Sequence, residues 1–280
     1  MPHSAASRVP AGTGVTVSTV AAHRVLISAH RCGFIELGEV DGAEDPLAGI
    51  AHSAAVGADY CEFDVRRCTA GVFVVAHDPD LGDDPIRTLD WPSVHSRAPE
   101  ILRLEQLLAA LAVTGMGAHV DVKFETSGRA HHDGESWESD LLTVLAEALP
   151  ADRIVMTTGR RSATRAMRAW AVERRSGLLV GMSIGSSIRG LSWREAVRRL
   201  WGEVFPHRRF ADSHADAVAA HYALALLRLS RWTTKIGVPL LVWTVDSPRL
   251  QRRLLHDPRI WMITTNHPAQ AYAIREGHPR

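Results

Sequence analysis

Short apolar runs alternate with helical stretches along nearly the whole chain, and this alternation constrains the fold more than any other feature. Nine runs have the length and the aliphatic content of buried strands. They are VLISA (25–29), YCEFDV (60–65), VFVVA (72–76), AHVDV (118–122), RIVMT (153–157), LLVGM (178–182), DAVAA (216–220), PLLVW (239–243) and WMITT (261–265). Strands that alternate with helices predict a parallel sheet, because each crossover helix returns the chain to begin another parallel strand.

Eight parallel strands can close into a (β/α)8 TIM barrel, and the ninth run can be the return strand of a hairpin. The runs 60–65 and 72–76 flank the turn sequence Thr69-Ala70-Gly71, which suits such a hairpin. The rival fold is an open doubly wound sheet, which usually has a glycine-rich turn after its first strand. Here His-Arg-Cys-Gly (30–33) follows that strand. We therefore predict an α/β protein with a TIM barrel.

One domain is expected, because no linker rich in Pro, Gly or Ser divides the 280 residues. Residues 1–22 are rich in Ala, Ser, Thr and Gly and lack the apolar core of a signal peptide, so we expect a flexible tail before a barrel domain at 23–280. No run approaches the roughly 18 apolar residues of a membrane span, so no integral membrane segment is expected. Three cysteines are too few for a disulfide framework, which favours a reducing, cytoplasmic location.

The charge distribution has two interpretations. The formal net charge of +1 argues against general nucleic-acid binding. Residues 36–90, however, carry thirteen acidic and three basic side chains, whereas residues 158–210 carry twelve Arg and three Glu. This asymmetry indicates either two solvated helical faces or an acidic cation site that faces a basic, phosphate-attracting wall.

Two carboxylates lie on one face of a strand that should be buried. Glu62 and Asp64 are two residues apart near the end of their strand, so both side chains point the same way. Like charges on a buried face repel each other and lose hydration, and they persist where a cation offsets that cost. A hard cation with oxygen ligands, such as Mg²⁺ or Ca²⁺, fits this spacing. The alternative is a solvated edge strand with a polar face.

A histidine is placed to return to these carboxylates. If the hairpin turn is centred near Ala70, His77 lies opposite Phe63, between Glu62 and Asp64.

Two other strands end in residues of the same chemical kind. The first strand ends at His30-Arg31, and the strand AHVDV carries Asp121, with Lys123 two residues later on the same face. Catalytic side chains of barrels lie at the C-terminal ends of strands, so this joint occurrence predicts one site.

The ordered set of motifs resembles the glycerophosphodiester phosphodiesterases, relatives of the phosphatidylinositol-specific phospholipases C and of the sphingomyelinase D-type enzymes. The family pattern is a His-Arg-Gly strand end, a Pro-Glu-Asn-Thr helix start, Glu-x-Asp-Val, a turn, Val-Val-x-His-Asp and Glu-x-Lys, with Trp-Thr-Val-Asn and Ile-Thr-Asp-x-Pro near its end. The similar segments here are AHRCG (29–33), 43–65, VVAHD (74–78), VDVK (120–123), LLVWTVD (240–246) and ITTNHP (263–268). The resemblance covers roughly residues 25–275.

The resemblance and the chemistry of the side chains together imply the metal ligands. Glu62, Asp64 and Asp121 would hold one divalent cation, Mg²⁺ or Ca²⁺, which would bind a phosphate oxygen. Glu44 would be an additional ligand or would support the other three.

The resemblance also implies the remaining roles. Arg31 and Lys123 would contact the other phosphate oxygens. His30 and His77 would divide general acid and base catalysis, in an order that the sequence leaves open. Trp243 would line the mouth of the substrate pocket or pack in the barrel.

Several positions depart from the family pattern. Cys32 stands where Gly is usual, Asp45-Pro46 replaces Asn-Thr, Asp121 replaces Glu as in the sphingomyelinase D group, and Asn266 replaces Asp. The segment after His77 is short and lacks the usual Arg-Thr, which bears on the alcohol pocket.

These features support three hypotheses. The first is hydrolysis of a small-molecule or lysolipid glycerophosphodiester to an alcohol and glycerol 3-phosphate. The second is a phospholipase D-like release of the alcohol that leaves a cyclic phosphate. The third is an inactive barrel that binds a phosphoester or a protein partner. An amphipathic helix near 192–204 is expected to pack on the sheet or, alternatively, to form a lid or a lipid-facing surface. The oligomeric state is not readable from the sequence.

Overall fold

The computed structural model describes residues 24–37, 45–124, 136–185 and 207–277. Within these ranges, eight parallel strands form a ring in the order β1-β12-β11-β10-β9-β8-β7-β2, and β1 also pairs with β2 to close it. The ring strands are β1 Leu26–Ala29, β2 Tyr60–Arg67, β7 Gly117–Val122, β8 Ile154–Thr158, β9 Leu179–Ile184, β10 Ala217–His221, β11 Leu240–Trp243 and β12 Met262–Thr265. The predicted TIM barrel is therefore confirmed.

Short strands extend the sheet on the β2 side. β3 (Phe73–Val75) runs antiparallel to β2, and β6 (Leu102–Arg103) runs antiparallel to β3. β4 (Asp80–Leu81) and β5 (Asp84–Pro85) form a separate two-stranded ribbon. The ninth strand candidate is thus the return strand of a hairpin, as the sequence predicts.

Helices connect the strands of the ring. The described helices are α1 Phe34–Leu37, α2 Pro46–Ala55, α3 Trp91–Arg97, α4 Leu104–Ala112, α5 Trp137–Ala148, α6 Arg161–Glu173, α7 His207–Ser213, α8 Tyr222–Leu224, α9 Ser230–Ile236, α10 Pro248–Leu255 and α11 Pro268–Arg275. A π-helical segment, Ala225–Leu229, joins α8 to α9. None of the helices in the described ranges is both long enough and apolar enough to cross a membrane.

The helix starts follow from local chemistry. Asp45 accepts hydrogen bonds from the N–H groups of Leu47 and Ala48, and Pro46 occupies the first helical position of α2. Ser136 caps α5 in the same way through the N–H of Ser139. These caps account for where both helices begin.

The interior of the barrel changes character along its axis. An apolar layer that includes Val155, Ala219, Leu241 and Met262 fills one end. Toward the C-terminal ends of the strands the buried residues become polar; they are Ser28, Glu62, Asp64, His119, Thr157 and Thr264. Buried polar groups need partners, so the polar layer marks the functional end of the barrel.

The sequence analysis missed some elements. The helices α1, α3, α7 and α11 and the ribbon of β4 and β5 were not predicted. β2 also continues past Glu62 and Asp64 to Arg67, because its last residues pair with β3. The predicted tail at 1–22, the helix near 192–204 and the candidate ligand Glu44 lie outside the described residues.

Candidate active site

Three carboxylates converge at the polar end of the barrel. Glu62 and Asp64 lie on β2, and Asp121 lies beside Asp64 on the neighbouring strand β7. Each offers an oxygen within 4.8 Å of the oxygens of the other two. Glu62 and Asp64 are each 5% exposed. The structure thus brings together the three residues that the sequence analysis named as metal ligands, while their role as ligands remains a prediction.

Burial makes two of these carboxylates, Glu62 and Asp121, difficult to ionise. Burial raises the pKa of Glu62 well above its usual value, and the negative charge of Asp64 raises it further. Burial likewise raises the pKa of Asp121. A bound divalent cation would favour both ionised forms, and three clustered carboxylates are the ligand type that Mg²⁺ and Ca²⁺ prefer. The residues present therefore fit such a cation.

Lys123 contributes a positive charge to this cluster. Its Nζ lies 2.6 Å from Asp121 Oδ2 and 3.2 Å from Asp64 Oδ1. Burial alone would lower the pKa of Lys123, but Asp121 and Asp64 together outweigh burial and raise it. The ammonium group therefore stays charged at the edge of the site.

The turn after β1 is built around Glu62. Arg31, Cys32 and Gly33 follow His30 with φ angles of 47°, 59° and 85°, all in the left-handed region. This path aims the backbone N–H of Arg31 at Glu62 Oε2, 2.8 Å away. Left-handed conformations of non-glycine residues are strained and concentrate at functional sites. The turn therefore fixes one carboxylate of the cluster by a backbone hydrogen bond, a role that the sequence analysis did not foresee.

His30 is held by a chain of two residues. Its Nδ1 lies 2.7 Å from Asn266 Oδ1, and Asn266 Nδ2 donates to Asp246 Oδ2 over 2.8 Å. The backbone N–H of Asn266 donates to the other oxygen of Asp246. An ionised carboxylate can only accept hydrogen bonds, so the amide nitrogen of Asn266 faces Asp246. The amide oxygen of Asn266 then accepts a hydrogen bond from Nδ1 of His30.

The other ring nitrogen of His30 is therefore the one that faces the carboxylates. His30 Nε2 lies 3.9 Å from Glu62 Oε2. Burial lowers the pKa of His30 below its usual value. Neutral His30 thus presents an unprotonated Nε2 to the site.

His77 lies at the rim of the same site. The hairpin pairs Val65 with Val75, and this register, extended by two residues, sets His77 opposite Phe63, as the sequence analysis expected. The His77 side chain is 46% exposed, and its Nδ1 lies 2.8 Å from Asp78 Oδ1. The Arg66 guanidinium holds the His77 carbonyl through Nε and Nη2.

Two cavities meet at this point. A cavity of about 780 Å³ is lined by His30, the three clustered carboxylates, His77, Lys123 and Trp243. A second cavity of about 470 Å³ is lined by Arg31 and by the apolar residues Phe34, Phe63 and Ile86. Asp64 and His77 line both. Every site residue named from the sequence, apart from Glu44, therefore lines one of two adjoining cavities.

The sequence analysis left two positions open for Trp243, at the cavity or packed in the barrel, and the structure is compatible with both. It lines the larger cavity, and its ring also packs edge-on against the His221 ring, with centroids 5.5 Å apart.

Polar residues below the carboxylates were missed by the sequence analysis. His119 is buried between Ser28 and Thr157 and lines the larger cavity. Burial lowers the pKa of His119 to about 3, so its ring is neutral. The spacing could have identified it, because His119 lies two residues before Asp121 on the same strand and so shares its face.

The fold is similar to that of several solved enzymes. A glycerophosphodiester phosphodiesterase from Parabacteroides distasonis has a TM-score of 0.71 and 18% identity, over 92% of this chain and 99% of that chain. A phosphodiesterase from Oleispira antarctica, solved with sn-glycerol-3-phosphate, has a TM-score of 0.64 and 16% identity, over 90% of this chain and 97% of that one. A glycerophosphodiester phosphodiesterase from Thermotoga maritima has a TM-score of 0.61 and 17% identity, over 89% and 97%.

Family membership comes from the sequence itself. A search of curated protein sequences gave no match. The family model of the glycerophosphoryl diester phosphodiesterases, however, matches residues 30–270. This range begins at His30 and spans most of the chain. It includes the candidate catalytic residues that line the two cavities. The chain therefore belongs to the glycerophosphoryl diester phosphodiesterase family, which places it among the phosphoric diester hydrolases.

Proposed function

We propose that this protein hydrolyses a glycerophosphodiester to an alcohol and glycerol 3-phosphate, with one divalent cation and two histidines. One observation carries the proposal: two buried carboxylates, a third that is half-buried, and two histidines from separate elements line a single cavity. The Oleispira antarctica relative was solved with sn-glycerol-3-phosphate, the product expected here.

Glu62, Asp64 and Asp121 would hold the cation, Mg²⁺ or Ca²⁺. The cation would supply Lewis-acid stabilisation of the charge that develops on the phosphoryl oxygens. Lys123, charged and partly exposed beside two of these carboxylates, would contact a further phosphoryl oxygen. Arg31, which lines the adjoining cavity, would bind another as a planar fork.

The two histidines would divide the proton transfers. His30 keeps its Nδ1 proton in the hydrogen bond that it donates to Asn266. Its Nε2 would therefore accept a proton from the attacking water or hydroxyl. His77, at the rim of the same cavity, would then donate a proton to the leaving alkoxide. This assignment goes beyond the sequence analysis, which left the order of the two histidines open.

A phospholipase D-like reaction shares the same cavity and differs in its nucleophile. If the substrate carries a hydroxyl next to the phosphoester, His30 would deprotonate that hydroxyl, and the product would be a cyclic phosphate. The aspartate at position 121, as in the sphingomyelinase D group, favours this second candidate.

The decisive experiment is a panel of phosphodiesters assayed with Mg²⁺, with Ca²⁺ and with a chelator. Glycerophosphocholine, glycerophosphoethanolamine and a lysophospholipid should be included, with the product identified by phosphorus NMR. Glycerol 3-phosphate formed only with a cation supports the proposal, and a cyclic phosphate supports the second candidate. An absence of turnover with every diester would favour the inactive barrel. The cytoplasmic location stays a prediction, and so does the range 23–280 for the barrel domain.

A further inference from the structure

A buried histidine lies in the polar layer directly beneath the proposed cation site. His119 is 4% exposed, lies two residues before Asp121 on β7 and pairs in register with Glu62 on β2. A layer of apolar side chains fills the barrel below it. An apolar residue could fill the same space, so the polar ring needs an explanation.

Hydrogen bonds join this ring to two hydroxyl groups, one of which neighbours a proposed cation ligand. His119 Nδ1 lies 3.1 Å from Ser28 Oγ, and its Nε2 lies 3.2 Å from Thr157 Oγ1. Thr157 lies on β8 as the register partner of Asp121, where its hydroxyl is placed to donate to that carboxylate and counters the rise that burial causes in the pKa of Asp121.

The Asp121 carboxylate fixes the donor and the acceptor of each hydrogen bond in this series. An ionised Asp121 only accepts, so Thr157 donates its single proton to Asp121. Thr157 Oγ1 must then accept from His119, which places a proton on Nε2 and leaves Nδ1 to accept from Ser28. With Asp121 ionised, as a bound cation would keep it, His119 and Thr157 each donate one hydrogen bond and accept one in this order.

We infer that His119 is a positioning residue that orients Asp121 for a divalent cation by acting through the Thr157 hydroxyl. This inference rests on the proposed function. Without the Nε2 proton, the Thr157 hydroxyl could rotate toward another acceptor, and Asp121 would lose a fixed donor. Partners that orient ligating side chains typically contribute about 10- to 100-fold in metal affinity.

The test is calorimetric titration of chelator-treated protein with Mg²⁺ and with Ca²⁺. His119→Leu and Thr157→Val should each weaken binding about 10-fold or more. The double variant should bind no more weakly than the weaker single variant, because both changes break the same chain. His119→Gln, which keeps an N–H donor, should retain more affinity than His119→Leu.

A matched control separates this role from general destabilisation. Thr233→Val also removes a buried threonine hydroxyl, but that hydroxyl bonds to α9 and to the preceding residue Leu229, away from the cavity. Its cation affinity should equal that of the wild type. If His119→Leu does not fold, His119→Phe, which fills the space of the ring without an N–H donor, replaces it in the same comparison.

The outcomes are distinguishable. Unchanged affinity in His119→Leu, or effects of the two substitutions that simply add, would overturn this inference while the wild type still binds the cation. A wild type that takes up neither cation would overturn the proposed cation site, and this inference with it.

Discussion

His30 takes its proton arrangement from two residues, Asn266 and Asp246, that act through hydrogen bonds. The family pattern noted above has Asn in its Trp-Thr-Val-Asn segment and Asp in its Ile-Thr-Asp-x-Pro segment. This chain has Asp246 and Asn266 at those positions, so the acid and the amide are exchanged. The structure shows them bonded to each other, with the amide next to His30. Burial lowers the pKa of His30 and outweighs the hydrogen bond to Asn266, which acts in the opposite direction.

Exchanging the pair back tests this account. In the double variant Asp246→Asn with Asn266→Asp, a carboxylate would accept the hydrogen bond from Nδ1 of His30 directly and raise its pKa. His30 must be unprotonated to act as a base, so a raised pKa moves the acid limb of the pH profile to higher pH. The measurement is kcat/KM against pH at saturating cation. An acid limb that stays in place, or moves to lower pH, would contradict the assignment of His30 as the base.

Loss of either histidine proposed as general acid or base should impair turnover without removing the cation site. His30→Ala and His77→Ala should each lower kcat by about 100-fold or more, the usual contribution of a general acid or base. Asp78→Asn is the milder comparison, because Asp78 contacts only the Nδ1 side of His77. Calorimetric cation titration should give wild-type affinity for the His77 variant. Near-normal turnover in either alanine variant would remove that histidine from the mechanism.

At the scale of elements, the turn after β1 and the β2–β3 hairpin bring the site together. The turn supplies His30 and a backbone hydrogen bond to Glu62, and the hairpin returns His77 to the edge of Asp64. β7 adds Asp121 and Lys123 from the neighbouring strand. These local elements therefore place most of the candidate residues, and the barrel fixes them relative to one another.

The sequence predicted the strands and the acidic cluster because both depend on simple periodicity. Two-residue spacing sets Glu62 and Asp64 on one face, and aliphatic runs mark the strands to within one or two residues. Helices of four to eight residues, such as α1 and α3, carry too few turns for a period to show.

Features that depend on individual backbone angles or on distant partners could not be predicted. The Arg31 N–H reaches Glu62 only because Arg31 and Cys32 adopt positive φ angles, which no non-glycine sequence signals. The bond between His30 and Asn266 joins residues 236 positions apart. Such contacts follow from closure of the barrel.

Gly33 tests how tightly the turn is built. A Cβ at this position would lie 2.0 Å from Ser53 Oγ, and φ is +85°. Ser53 also donates a hydrogen bond to the Cys32 carbonyl, so it cannot move without cost to the turn. Gly33→Ala should destabilise the fold and weaken cation binding, because the Arg31 N–H would leave Glu62.

Gly237 provides the control for this variant. It has φ +69° with nothing within 4 Å of a built Cβ, so Gly237→Ala should cost only the backbone term of about 1 kcal/mol. Urea unfolding and cation titration of both variants make the comparison. If Gly33→Ala and Gly237→Ala lower the free energy of unfolding equally and leave cation affinity unchanged, the turn tolerates the added methyl group.

At the scale of the whole molecule, residues of the acidic segment 36–90 and of the basic segment 158–210 line one cavity. Glu62 and Asp64 come from the acidic segment, and Arg160 from the basic segment lines the same cavity. A second group of basic residues, Arg161, Arg165 and His214, lines a separate surface cavity with Arg160. The arrangement supports the interpretation in which an acidic cation site shares its cavity with basic side chains that attract phosphate.

Concentrating carboxylates in a barrel interior also has a consequence for stability. The folded protein binds a proton on Glu62 more tightly than the unfolded chain does, because its pKa is raised well above the ordinary value of 4.5. Ionisation of Glu62 therefore destabilises the cation-free fold. This cost is absent below about pH 4.5, where both states are protonated, and it grows as the pH rises through the raised pKa. A bound cation offsets it.

Glu62→Gln should therefore stabilise the cation-free protein while removing its response to cations. Gln keeps an oxygen that can accept the Arg31 N–H but carries no charge to desolvate. In chelator at pH 8, the Tm of the variant should exceed that of the wild type, and the difference should shrink toward pH 5. With a cation at about 100 times its Kd, the wild type should gain about 2.7 kcal/mol, or roughly 5–10 °C in Tm, and the variant far less.

Glu147→Gln, at an exposed position on α5, should behave like the wild type in every condition. Scanning calorimetry at both pH values, with and without Mg²⁺ or Ca²⁺, makes the measurement. A Glu62→Gln variant that melts below the wild type in chelator at pH 8 would show that the buried carboxylate stabilises the fold instead of serving the cation.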